Sequence, residues 1–199
     1  MLNSLAQVLL KTTCPGVPDF YQGTELWDFS LVDPDNRRPV DFRKRMKLSN
    51  ELIRKETSSS AALVQDLQDN WRDGRLKMYT TYKILGFRRD NPTLFKDGDY
   101  LPLQIKGQMR EHVCAFARRL KKSWVLVLVP RFLGKLGGAR SFPLDSRVWG
   151  DDLLLPNEAP ESWRNVFTGE SLKISTAEKR GLPLSDVLSI FPVALLVSK

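Results

Sequence analysis

A change of grammar near Asn91-Pro92 constrains this chain more than any other feature. Before it, apolar residues recur at helical spacing; after it, short apolar runs are bounded by Gly, Pro and Asp. Leu2, Leu5 and Leu9, with Val8 alongside, share one face of an opening helix that Pro15-Gly16 ends. Val17 to Tyr21, closed by Gly23, reads as a short strand, and Leu31 to Pro39 as loop. A helical pattern returns from about Asp41 to Glu56, and Ser58 to Ser60 suit an N-cap for a helix running to about Trp71. Asp73-Gly74 breaks it, and Met78, Tyr82 and Leu85, at i, i+4 and i+7, mark a further helix ending near Arg89. The later runs, Tyr100 to Ile105, Val113 to Arg118, Trp124 to Val129 and Leu188 to Val197, have strand length and suggest an antiparallel sandwich. Between Pro130 and Pro160, Gly134, Gly137, Gly138 and Gly150 mark an extended loop with room for one or two more strands. The expected fold class is α+β: a helical unit over 1–97 and a β-sandwich over 98–199.

Composition then excludes several functions. The 31 Lys+Arg against 23 Asp+Glu give a net charge of +8. Six of those cations fall between Arg37 and Lys47, and four more are Arg118, Arg119, Lys121 and Lys122. A polyanion partner would use such charge, but no RNP motif, zinc-finger spacing or Gly-rich phosphate loop accompanies it. The expectation is a solvated basic surface with no nucleic acid bound. No apolar run approaches the roughly 20 residues that span a bilayer, and the start lacks a basic region ahead of an apolar stretch. No membrane partner and no signal peptide are therefore expected. Two cysteines, Cys14 and Cys114, do not make a disulfide framework, and a reducing, cytoplasmic setting fits them. A single histidine, His112, argues against a His-based triad or multi-histidine metal site, so no cofactor is expected.

One segment carries a sharper signal: Cys14-Pro15-Gly16-Val17-Pro18-Asp19-Phe20-Tyr21-Gln22-Gly23-Thr24-Glu25. It resembles the P-G-x-P-x-x-Y-x-G-x-E segment that forms the eighth barrel strand of α-amylase-type glycoside hydrolases. The stretch from Leu26-Trp27-Asp28-Phe29 through Asp33-Pro34-Asp35-Asn36-Arg37-Arg38-Pro39 to Asp41 is similar to the segment after that strand in malto-oligosyltrehalose synthases. Further pieces agree in order: Trp71-Arg72-Asp73-Gly74-Arg75-Leu76-Lys77, Phe87-Arg88-Arg89, Leu94-Phe95, Ala115-Phe116-Ala117-Arg118, Trp163, Thr168-Gly169 and Phe191-Pro192-Val193.

That resemblance covers nearly the whole chain and implies a C-terminal piece of such an enzyme, a member of glycoside hydrolase family 13. A naturally truncated paralogue, or a fragment of another α-amylase-superfamily enzyme, is the other reading. The family isomerises the reducing-end α-1,4 linkage of a maltodextrin to α,α-1,1, and a malto-oligosyltrehalose trehalohydrolase is its functional partner. Its catalytic carboxylates lie on barrel strands ahead of the eighth, so they are expected to be absent here. Length agrees, because a (β/α)8 barrel takes roughly 250 residues.

By the barrel rule that strand C-termini face the site, Tyr21, Gln22 and Glu25 are expected near sugar. Asp35, Asn36, Arg37 and Arg38 either bind sugar hydroxyls or form an Arg-Asp network that pins their loop. Glu25 and Asp35 acting as a self-sufficient catalytic pair is the sharpest alternative. A maltodextrin-binding module using Trp124, Trp149 and Trp163 is another. An isolated barrel strand is expected to be irregular, covered by its own helices, or paired with a second copy, and the freed apolar helix faces to favour self-association.

Overall fold

The computed structural model describes residues 1–136, 148–174 and 180–199. Five helices come first: α1 (Leu2–Thr13), α2 (Phe42–Ser58), α3 (Ser60–Asp69), α4 (Arg75–Asp90) and α5 (Pro92–Asp97). Among the described residues nine strands come after them: β1 (Asp99–Pro102), β2 (Ile105–Lys106), β3 (Val113–Leu120), β4 (Ser123–Pro130), β5 (Asp152–Leu154), β6 (Ser162–Asn165), β7 (Ser171–Lys173), β8 (Gly181–Pro183) and β9 (Ala194–Ser198). A short helix α6 (Leu184–Val187) precedes the last strand. The expected helix-then-strand order holds, and the Leu31 to Pro39 loop contains a 3-10 turn at Asp35–Arg37.

Local chemistry explains the helix ends. The Asp41 carboxylate accepts from the Lys44 amide at 2.9 Å and caps α2. The Ser59 hydroxyl does the same for α3 through the Ala62 amide at 3.3 Å. Gly74, at φ +88°, turns the chain from a 3-10 turn (Trp71–Asp73) into α4. A side chain there would also meet the Trp27 amide nitrogen at 3.0 Å, so only glycine fits. Helix α5 begins on Pro92, where the missing N–H costs nothing.

Six strands form one antiparallel sheet in the order β1-β3-β4-β9-β6-β7, and three form a second, β2-β5-β8. Strand β4 is buried on both faces and sorts its side chains by the period of two. Val125, Val127 and Val129 join the helices in one core, with Phe116, Leu195 and Phe191. Trp124, Leu126 and Leu128 point the other way, into a core shared with Ile105, Leu153 and Leu182 of the smaller sheet. Three layers result: helices, large sheet, small sheet. The helical core therefore crosses the expected boundary at 97/98 and is completed by sheet residues.

Buried Arg118 on β3 joins the layers. It is 1% exposed and, among the described residues, has no acidic partner. Its guanidinium donates to the carbonyls of Thr13 (3.1 Å), Leu94 (3.4 Å), Phe95 (2.9 Å), Gly98 (2.9 Å) and Asp99 (3.3 Å). Those carbonyls close the C-terminal ends of α1 and α5, where helix dipoles concentrate negative potential. Burial lowers its pKa from the usual arginine range, which still leaves it a cation. A second tie comes from Tyr79 on α4, whose hydroxyl donates to the Phe167 carbonyl at 2.7 Å. Burial of that hydroxyl raises its pKa. Phe167 stacks on Phe191 at 4.7 Å.

Three expectations are corrected. Residues Val17 to Tyr21 do not form the strand read from their pattern but are irregular, one of the outcomes expected of an isolated barrel strand, with Val17 96% exposed. A barrel strand is held by neighbours on both sides, no described residue pairs with this one, and Pro15 and Pro18 lack donors. The Met78, Tyr82 and Leu85 stripe falls within α4 as expected; Met78 is buried with Leu76, Tyr79, Thr80 and Ile84, while Tyr82 and Leu85 are exposed. The run Tyr100 to Ile105 divides between the two sheets, and Leu188 to Val197 becomes strand only from Ala194. Strands β6 and β7 leave no apolar run in the sequence, because they are short and largely polar, and β8 is only three residues, Gly-Leu-Pro. Gly137 and Gly138 lie outside the described residues.

Arg118→Ala is expected to destabilise the fold by about 3 kcal/mol or more, because buried carbonyls lose charge-assisted donors. Arg118→Lys restores little of it, since a point ammonium does not span this fan of acceptors. Urea denaturation of the variants checks both.

Candidate functional site

The chain between α1 and α2 carries the residues singled out by sequence, and long cations from the helices hold it. Arg88 donates to the carbonyls of Thr12 (2.5 Å) and Gly16 (2.7 Å), fixing the Pro15-Gly16 turn. Lys11 donates to the Asp19 carbonyl at 2.9 Å and sits 3.8 Å from the Phe20 ring centre. Trp27 donates its indole N–H to the Trp71 carbonyl at 2.8 Å, so it serves packing. Lys77, only 7% exposed, donates to the Leu26 carbonyl at 3.1 Å.

The seven predicted residues fall into three groups. Tyr21, half exposed, lines a groove of about 700 Å3 with Lys11, Asp19, Thr24, Asp28 and Lys77. Gln22 is exposed beside it. Glu25 faces another way, into a cleft with Phe42, Arg45, Met46 and Tyr82. Its carboxylate accepts from Arg45 Nε at 2.7 Å, while Arg45 also donates to the Gly23 carbonyl at 2.6 Å. Asp35, Asn36, Arg37 and Arg38 form a third group closed on itself. Asp35 accepts from the Leu31 amide at 2.7 Å and from Arg38, and Arg37 pairs with Asp33 at 2.5 Å. The Asn36 side-chain oxygen is buried without a partner among the described residues.

Charge follows this geometry. The Leu31 amide, and then Arg38, hold Asp35 below the usual carboxylate range. The Ser30 hydroxyl and amide do the same for Asp28. Carboxylates stabilised as anions are acceptors for hydroxyls and cations; a general acid needs the opposite shift. Burial, and then Lys11, lower the pKa of Lys77. Lys11, Arg45 and Lys77 are the residues that sequence reasoning missed. Lys77 stood at the end of the Trp71-to-Lys77 motif, and its position between buried Leu76 and Met78 was its only signal. Among the described residues no cluster of His, Cys, Asp and Glu suits a metal ion.

The layered arrangement has counterparts among solved structures. An α-amylase from Anoxybacillus superposes over 98% of this chain with a TM-score of 0.54 at 18% identity, a likeness of fold alone. The fold is thus of the kind seen in that part of an α-amylase. A maltooligosyltrehalose synthase from Arthrobacter ramosus matches 100% of the chain with a TM-score of 0.67 at 32% identity. A putative maltooligosyl trehalose synthase of Mycobacterium tuberculosis is 34% identical over 196 residues, 98% of the chain. No family model matches. Along its length the sequence is similar to a segment of these synthases, and it spans 20% of the Mycobacterium relative and 22% of the Arthrobacter structure.

Lys77 yields a pH prediction. Its folded pKa is depressed, so between that value and the unfolded one near 10.4 the unfolded chain holds more protons and stability rises with pH. Lys77→Met is expected to flatten that rise and to add roughly 1 kcal/mol at pH 7, since a buried charge is removed. Urea denaturation at pH 7 and pH 10 checks both effects.

Proposed function

We propose that this chain is the C-terminal part of a cytoplasmic maltooligosyl trehalose synthase, which converts the reducing-end α-1,4 linkage of a maltodextrin to α,α-1,1 in trehalose formation. The carrying observation is 34% identity to such a protein over 98% of the chain, while the chain spans 20% of that relative. The catalytic carboxylates belong to the remainder of the enzyme, and the chain alone is catalytically empty. Its candidate carboxylates support that reading. Retaining chemistry needs one free nucleophile and one carboxylic acid of raised pKa. Glu25 is engaged by Arg45, and Asp35 is engaged by Leu31 and Arg38.

In the intact enzyme Tyr21, Gln22, Glu25, Asp35, Asn36, Arg37 and Arg38 face the glucan. The exposure of Tyr21, Gln22, Arg37 and Arg38 supports this. The reaction uses no cofactor, and a trehalohydrolase consumes its product. Exposed Phe42, Met46 and Ile53 on α2 give the isolated chain an apolar face through which copies associate. The binding-module reading is weakened, because Trp124, Trp149 and Trp163 are all buried in the sheet core.

A reducing-end assay with maltopentaose on the purified chain is expected to show no loss of reducing ends. Their disappearance would overturn the proposal and make Glu25 and Asp35 the first residues to mutate. Tryptophan fluorescence is expected to stay unchanged across millimolar maltopentaose, and a saturable change would revive the module reading.

A further inference from the structure

A groove of about 520 Å3 lies apart from the loops described above. It runs between the C-terminal half of α4 and strand β6, within the size range of small-molecule sites. Tyr82, Lys83, Gly86, Arg89 and Asp90 line it from the helix, and Arg164 from the strand. Gly86 sits in the C-terminal half of α4, where alanine is the more favourable residue. A methyl group built there would meet no atom within 4 Å, and its backbone is outside the left-handed region. Among the described residues no packing contact or backbone angle calls for glycine here, so the bare floor leaves room for something approaching from outside.

The walls say what that is. Arg164 is exposed and, among the described residues, its side chain has no ion-pair or hydrogen-bond partner. Among the described residues Arg89 pairs with its neighbour Asp90, at 2.9 Å and largely in solvent, a contact worth little. Lys83 is engaged by Glu56 at 2.5 Å. Arg164 is thus open to an anion and Arg89 keeps its two terminal nitrogens for one, and the planar guanidinium geometry matches phosphate. Tyr82, 40% exposed, offers a ring face, and Asp90 an acceptor for hydroxyls.

We propose that this groove binds a small phosphorylated sugar, with the phosphate on Arg164 and Arg89 and the sugar ring lying over Gly86 against Tyr82. The site uses none of the residues assigned to the glucan, and its test reads binding rather than turnover.

Isothermal titration with glucose 6-phosphate, glucose and inorganic phosphate tests it. Glucose 6-phosphate is expected to bind, inorganic phosphate about tenfold more weakly, and glucose not measurably. Arg164→Ala is expected to weaken glucose 6-phosphate by about tenfold or more without moving the melting temperature, the loss of a charge-assisted contact. Gly86→Leu is expected to abolish binding, and Gly86→Ala to keep the fold as its control. The proposal is overturned by no binding at millimolar ligand, by unchanged affinity in Arg164→Ala, or by glucose or phosphate binding as tightly as the sugar phosphate.

Discussion

A single buried cation organises this molecule. Arg118 collects carbonyls from the ends of α1 and α5 and from the start of β1, and no carboxylate among the described residues competes for it. The usual partner of a buried arginine is an acid, whose removal leaves one charge stranded. Here the counter-charge is distributed over backbone dipoles, which are fixed by the helices themselves. Helix placement and arginine burial therefore depend on one another. Phe95 packs within reach of this guanidinium and that of Arg88, at 5.9 Å and 5.2 Å, so the apolar and ionic parts of the junction are continuous.

Strand β4 supplies the second constraint. Its alternating Val and Leu or Trp residues give two apolar faces, and each must be covered. The helices cover one and the small sheet the other, which is why neither the helical nor the β part closes a core alone. Several motif pieces read in the sequence converge on this junction: Arg118 and Phe95 at one end of the large sheet, and at the other Phe191, which packs on Tyr79 and on Phe167, the residue before Thr168-Gly169. Much of the ordered resemblance thus reflects packing between layers rather than contact with substrate.

Element type was readable wherever a periodic signal was long. Helices α1, α2 and α4 and strands β3 and β4 were legible for that reason. The strand expected at Val17 to Tyr21 was not, because a barrel strand's shape is a property of its neighbours as much as of its residues. Strand β6, Ser-Trp-Arg-Asn, offered only one apolar residue, and pairing with β9 rather than composition makes it a strand. Of the candidate site, the residues were legible and their grouping was not. Glu25 turns to Arg45 and Tyr21 toward Lys77, since both partners come from helices distant in sequence. A cation buried by tertiary packing leaves no mark in local spacing.

Helix α2 has 17 residues, yet Leu52 is the one residue it buries. Opening such a helix exposes little apolar surface, so its local unfolding free energy falls far below that of β4 or α4. Its amides are expected among the faster-exchanging in the molecule. Arg45 travels with it, and with Arg45 go the Glu25 carboxylate contact and the Gly23 carbonyl contact. The part of the loop at Gly23 and Glu25 is thereby tied to the least anchored helix, while Lys11, Arg88 and Lys77 hold the rest to α1 and α4, and whatever settles on the face of α2 also acts on that end of the loop.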